Sequence, residues 1–258
     1  MINKKYLKLI RSRKYLNDNS FIYEITSQRI IDSIDLIKIP FKNALELGVN
    51  DYKIFNFLKR RNPDSYITSI DIGNSNLLKN RDINFIDDYI DNYNFKKNTY
   101  DLIYSNFFLH LAFDFDKLIK KINQSLKSNG FFIATIPDLN NMYQLVNSMY
   151  ETDLKLYNGA YQRINPTKTI DSILSILKKY NYDIPTINSD TISIEYKKFN
   201  NLLLDIKKTK SSYCYEDKKS FFEKKSYFIN LENNYKKKYF KENYLLDIKL
   251  NIISAWKK

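Results

Sequence analysis

Cysteine, histidine and tryptophan occur once each in this sequence, and only four glycines and five prolines are spread over its 258 residues. A single thiol, Cys214, excludes an intramolecular disulfide and any zinc site built on several cysteines, and a reducing compartment is the simplest reading. So little glycine and proline leaves no flexible linker to divide the chain, and no internal repeat is visible. No run approaches the roughly 18 apolar residues of a transmembrane helix. The start, MINKKYLKLIRSRKYL, lacks the uninterrupted apolar stretch of a secretory signal. It is basic and amphipathic, a pattern shared by mitochondrial presequences and folded surface helices, and the folded helix is the reading favoured here.

With 43% hydrophobic and 28% charged residues the chain is globular, and its length is ample for a buried core. The net charge of +13 is unevenly placed: +4 in residues 1–40, zero in 41–196 and +9 in 197–258. Lysine outnumbers arginine 35 to 7. Arginine is the residue suited to bidentate phosphate and base contacts, so the excess charge reads first as a solvated lysine surface. An acidic protein partner, an anionic membrane surface and nucleic acid are the alternatives.

From residue 43 short apolar runs alternate with helical stretches, which implies a parallel sheet covered on both faces. The strands are expected at Asn43–Leu47, Ser65–Asp71, Ile83–Ile86, Tyr100–Asn106 and Gly130–Ile136, with helices at Asp51–Arg61, Ser75–Asn80 and Asp116–Lys127. Asn129-Gly130 reads as the stop of that last helix. Past Pro137 the pattern predicts helices at Asp138–Tyr150, Thr169–Tyr180, Phe199–Lys208 and Ser220–Tyr239, and late strands at Thr191–Tyr196 and Leu246–Trp256. The expected architecture is therefore a doubly wound α/β domain with a seven-stranded, mostly parallel sheet, an antiparallel strand at or near one edge, and an added helical cap. One domain over 1–258 is the economical division: an N-terminal helical segment (1–40), a nucleoside-binding half (41–137), and a cap with the late strands (138–258).

In such a sheet ligands bind beyond the carboxyl ends of the strands, where strand order reverses. The first strand ends in Glu46-Leu47-Gly48-Val49-Asn50, the second in Asp71-Ile72-Gly73, the third at Asp87-Asp88 and the fourth in Ser105-Asn106, followed by His110. Gly48 allows close backbone approach to a ligand, and the helix behind it offers free N–H groups. Asp71, 23 residues further on, is placed to accept hydrogen bonds from a ribose diol. Asp87 or Asp88 is suited to an adenine amino group. His110, the only histidine, is the candidate acid, base or hydrogen-bond donor, against the plainer reading of a packing residue. Cys214 lies away from these tips and reads as structural.

The segments ALELGVNDY, SID and NTYDLIYSNFFLHLAFDFDKLIKKINQSLKSNGFFIATIPD resemble the S-adenosylmethionine-dependent class I methyltransferases of the biotin-biosynthesis carrier-protein type. With LIRSRKYL near the start, the Leu-His pair after the fourth strand and NIISAW at the end, the chain is more closely similar to the methyltransferase-like complex I assembly factors. One member of that family hydroxylates an arginine of a complex I subunit. The resemblance implies a Rossmann-like fold, S-adenosylmethionine as cofactor, and Glu46, Gly48, Asn50, Asp71, Ile72, Asp87, Asp88, Ser105 and Asn106 as its contacts. It further implies a protein partner, with peripheral membrane association open, in the mitochondrial matrix of a eukaryote or the cytoplasm of a bacterium. The family's second and third loop glycines are Asn50 and Tyr52 here. That departure keeps three readings in play: a methyltransferase, an arginine hydroxylase, and an assembly factor without catalysis. A hydroxylase needs an oxidant or metal that one His and one Cys do not disclose, and no metal site is expected from the sequence. A nucleic-acid methyltransferase is set aside because Ser105-Asn106-Phe107-Phe108 stands where such enzymes carry an Asn-Pro-Pro-Tyr-like clamp for a flipped base.

Overall fold

The computed structural model describes residues 1–15, 20–73, 84–219 and 222–258. Two helices precede the sheet, α1 (Lys4–Arg11) and α2 (Phe21–Asp35). The Asn3 side chain caps α1 by accepting from the Tyr6 N–H at 2.9 Å. Then follow β1 (Asn43–Leu47), α3 (Lys53–Arg61), β2 (Tyr66–Asp71), β3 (Asn84–Asp87), β4 (Tyr100–Asn106), α4 (Phe115–Ser125) and β5 (Leu126–Pro137). The second half comprises α5 (Tyr143–Tyr157), α6 (Ile170–Lys179), β6 (Tyr182–Tyr196), α7 (Phe199–Lys208), α8 (Lys225–Tyr239) and β7 (Tyr244–Lys257). The expected helix at Ser75–Asn80 falls outside the described residues, as do Ile83 and Ser220.

The seven strands are ordered β3-β2-β1-β4-β5-β7-β6. The first five run parallel, and β7 is antiparallel to both β5 and β6. The chain moves outward from β1 in one direction and restarts at β4 in the other, so the reversal of strand order lies between β1 and β4. β1 is buried on both faces because helices cover both. On one side Ile30, Ile34, Ile54 and Leu58 of α2 and α3 pack on Ala44, Leu102 and Ile133. On the other, Leu7 and Ile10 of α1 and Leu118, Ile119 and Ile122 of α4 pack on Leu45, Leu47 and Ile103. A third cluster joins Leu145, Leu202, Leu231 and Tyr235 of the cap to Leu246, Ile248 and Leu250 of β7. The single tryptophan, Trp256, lies opposite Phe131 in the β5–β7 register with ring centroids 4.6 Å apart.

Several boundaries differ from expectation. α4 stops at Ser125, two residues early, because Leu126 already pairs with Tyr100 of β4. Asn129-Gly130 is therefore not a helix stop; Asn129 sits inside β5 with φ +60°. β6 begins nine residues before the expected Thr191, and α5 starts later and ends later than Asp138–Tyr150.

Candidate functional site

The carboxyl ends of β1, β2, β3 and β4 converge at one place, and hydrogen bonds between their loops define it. Gly48 follows β1 with φ +83°, its N–H bonded to the Ile70 carbonyl at 2.8 Å. A Cβ there would come within 2.1 Å of Phe108 Cγ, so both the backbone conformation and the space demand glycine. Asn50 and Tyr52 are absent from the positive-φ positions, so the backbone conformation there does not by itself require glycine. Asp71 is wholly buried at the tip of β2. Its Oδ2 accepts from the Val49 N–H at 3.0 Å and its Oδ1 from the Ile72 N–H at 2.7 Å.

The principal occupant of this place is a residue that the sequence did not reveal. Arg11, the last residue of α1, reaches across with no exposed surface and forms a two-pronged ion pair with Asp71, Nε to Oδ1 at 3.1 Å and Nη2 to Oδ2. Nη2 also donates to the Val49 carbonyl at 3.1 Å and to Asn50 Oδ1 at 2.9 Å, while Nη1 has no hydrogen-bond partner among the described residues. The guanidinium carbon lies 4.8 Å from the Phe108 ring centroid. Burial opposes the charge, but the Asp71 carboxylate overcomes it and raises the Arg11 pKa. The available signal was an arginine beside the Leu7–Ile10 stripe of an amphipathic helix; nothing local shows that it meets a residue 60 positions later.

The remaining candidates are placed as follows. Asp87 Oδ1 accepts from the Gly73 N–H at 2.8 Å, and Lys8 of α1 approaches its other oxygen at 3.9 Å. Asp88 turns its carboxylate to the Tyr89 N–H at 2.7 Å. Ser105 Oγ donates to the Leu47 carbonyl at 2.7 Å, tying β4 to β1. Asn106 donates to Ser27 Oγ at 2.8 Å, accepts from Thr135 Oγ1 at 2.7 Å, and receives the Asn50 amide on its carbonyl. Glu46 belongs to the opposite face of β1, buried under α2 and α3, where Ser69 Oγ donates to it at 2.6 Å. Burial pushes its pKa up to about 8, so it carries its proton at neutral pH. Glu46 thus supports the site from behind.

His110 sits in a short 3₁₀ turn, Leu109–Leu111, beyond β4. Burial, helped by the Arg11 charge, lowers its pKa to about 3, which keeps the imidazole neutral. Its Nδ1 has no hydrogen-bond partner among the described residues. Two small cavities meet at this ring. One of about 120 Å³ is lined by Phe113, Thr167 and Tyr215, and one of about 40 Å³ by Phe107, Asn165 and Thr209. Cys214 is buried near this wall, its Sγ 3.4 Å from Asn165 Oδ1, and burial pushes the thiol up to about 12. Among the described residues no group of three or more His, Cys, Asp or Glu side chains is arranged to hold a metal, and no helix is long and apolar enough to cross a membrane.

Residues 45–134 match the family model described as a methyltransferase domain. Among solved structures, the chain superposes on the YcgJ protein of a Bacillus with a TM-score of 0.59 at 10% identity, covering 91% of this chain and 99% of that one. Phosphoethanolamine N-methyltransferase 2 of Haemonchus contortus, solved with S-adenosyl-L-methionine, superposes with a TM-score of 0.52 at 16% identity, over 97% of this chain and 60% of that one. The chain has the class I methyltransferase fold. In sequence it stands near the mitochondrial arginine-hydroxylase NDUFAF5: 23% identical to the Danio rerio protein over 80% of this chain, and 25% identical to the Homo sapiens protein over 78%. It spans 64% and 59% of the lengths of those two relatives.

Proposed function

We propose that the chain binds S-adenosylmethionine at the tips of β1, β2 and β4 and acts on a protein, as a methyltransferase-like protein of the complex I assembly type. The observation that carries this reading is the meeting of Gly48 and Asp71 beside the β1/β4 reversal. The donor set suits the cofactor in kind. Asp71 would take the ribose hydroxyls, Asp87 or Asp88 the adenine amino group, and the Gly48–Asn50 backbone and the Ile72, Ser105 and Asn106 walls the rest. When bound, the cofactor supplies a methyl group already activated by its sulfonium, so the protein's task is chiefly to position. His110 is then a neutral hydrogen-bonding group on the wall shared by the two cavities.

A second reading has its own support, because Arg11 takes both Asp71 oxygens in this conformation. On that reading the chain keeps the fold as an assembly factor without catalysis, or serves the arginine hydroxylation for which its relatives are named. The basic 197–258 region is the proposed partner surface, a complex I subunit is the proposed partner, and the compartment is the mitochondrial matrix or, in a bacterium, the cytoplasm. We read 1–258 as one functional unit. Calorimetric titration with S-adenosylmethionine tests the proposal: one-to-one binding, weakened tenfold or more by Asp71→Asn, is expected. Absence of binding by the folded chain under any condition overturns it in favour of the assembly factor.

A further inference from the structure

We infer that Arg11 is an intramolecular competitor for the cofactor, and that the C-terminal end of α1 must lift from the strand tips before a nucleoside can engage Asp71. The inference rests on the cofactor reading above. Three observations carry it. First, the group best placed to hold a ribose is paired on both oxygens with Arg11, which has no exposed surface. Second, the α1 backbone itself is seated on the loop after β2. A Cβ at Gly73, where φ is +80°, would come within 2.8 Å of the Lys8 carbonyl oxygen and 3.2 Å of Ser12 Cβ. Third, the two ends of α1 are held differently. Its start is fixed to the cap: the Asn3 N–H donates to the Cys214 carbonyl at 2.7 Å, the Glu216 N–H donates to the Met1 carbonyl at 2.9 Å, and Lys218 lies 3.4 Å from the Tyr6 ring centroid. Its end is held by Ile10, which is buried in the core, by Arg11 and by the long Lys8–Asp87 contact of 3.9 Å, and for the two charged contacts a nucleoside's hydroxyl and amino groups would compete.

Arg11 is itself a trypsin site, which makes its release directly readable: cleavage after it requires the side chain to leave Asp71 and enter the protease. The test is tryptic digestion of the full chain with and without saturating S-adenosylhomocysteine, following the Met1–Arg11 peptide by mass spectrometry, alongside calorimetry of the wild type and Arg11→Gln. The inference expects cleavage after Arg11 to accelerate at least tenfold with S-adenosylhomocysteine, and Arg11→Gln to bind S-adenosylhomocysteine at least tenfold more tightly than the wild type. Binding that leaves cleavage unchanged or slows it overturns the gate while leaving the cofactor reading intact, as does an Arg11→Gln variant that folds and binds more weakly. Failure of both folded proteins to bind overturns the cofactor reading and the gate with it. If Arg11→Gln does not fold, the digestion of the wild type decides alone.

Discussion

Arg163 and Arg11 are both drawn into the body of this protein, and they are held in different ways. Arg163, in the cap, is 17% exposed and is shared between Asp153 and Glu223; Glu223 also receives Lys219 at 2.7 Å and the Tyr157 hydroxyl at 2.6 Å. Its guanidinium lies 4.5 Å from the Tyr227 ring centroid, and Lys219 lies 3.6 Å from that of Tyr157. Charge of each sign meets several partners there, and the net effect lowers the Glu223 pKa, with its hydrogen-bonding neighbours outweighing burial. Arg11 instead meets one carboxylate, two uncharged oxygens, the Phe108 ring and the neighbouring Tyr23, and among the described residues its Nη1 has no close hydrogen-bond acceptor. A network can lose a member and re-form around the rest, whereas a pair cannot. The difference sets Arg163, whose charge meets two carboxylates, against Arg11, whose charge meets one.

The largest expected effect comes from breaking the pair on one side. Asp71→Ala leaves a buried guanidinium uncompensated and is expected to cost about 3–5 kcal/mol in urea denaturation. Adding Arg11→Met should restore much of that, because removing both charges removes the unpaired one. A double variant as unstable as Asp71→Ala would show that the loss is one of packing rather than charge.

Glu46 shows what a buried acid does with no cation at all. Its folded pKa of about 8 lies above the ordinary 4.5, so the contribution of Glu46 to stability is fully present below pH 4.5 and is lost as pH rises through 8. Glu46→Gln does not titrate and still accepts from Ser69. Its melting temperature should match the wild type near pH 4 and exceed it by several degrees above pH 8, and a gap that is constant with pH would sink the assignment.

In the cap, Asp153→Ala removes hydrogen bonds to Arg163 and to the Tyr161 N–H but leaves Glu223 in place, so about 1–3 kcal/mol is expected, less than at Asp71. Equal losses at the two sites would erase the distinction between pair and network. At the surface, Lys179→Ala breaks an exposed contact with Asp116 at 2.8 Å and should leave the melting temperature unchanged.

The same contrast explains how far the sequence could be read. Features carried by consecutive residues were legible: β1 coincides with the expected Asn43–Leu47, α7 with Phe199–Lys208, and Gly48 and Asp71 stand together at the tips of neighbouring strands. The seven-stranded sheet followed from such runs. Where a distant partner decides, the reading fell short. Leu126 continues the 3.6-residue stripe of α4, yet its pairing with Tyr100 draws it into β5. The first half of β6 was hidden because Pro185 and the irregular pairing between Asp183 and Thr186 interrupt its alternation, and because an outermost strand buries little of its polar sequence. Arg11 is the extreme case, since its role exists only through a contact 60 residues away.

The single tryptophan acquires a practical meaning from its position. Trp256 packs against Phe131 on the β5–β7 pair, on the sheet face covered by α2 and α3, whereas α1 lies on the opposite face. Light absorbed selectively by indole therefore interrogates the frame of the sheet and is insensitive to displacement of α1. The emission of Trp256 is a built-in optical control. A change in tryptic access to Arg11 at constant indole fluorescence is local opening, and a change in both is unfolding.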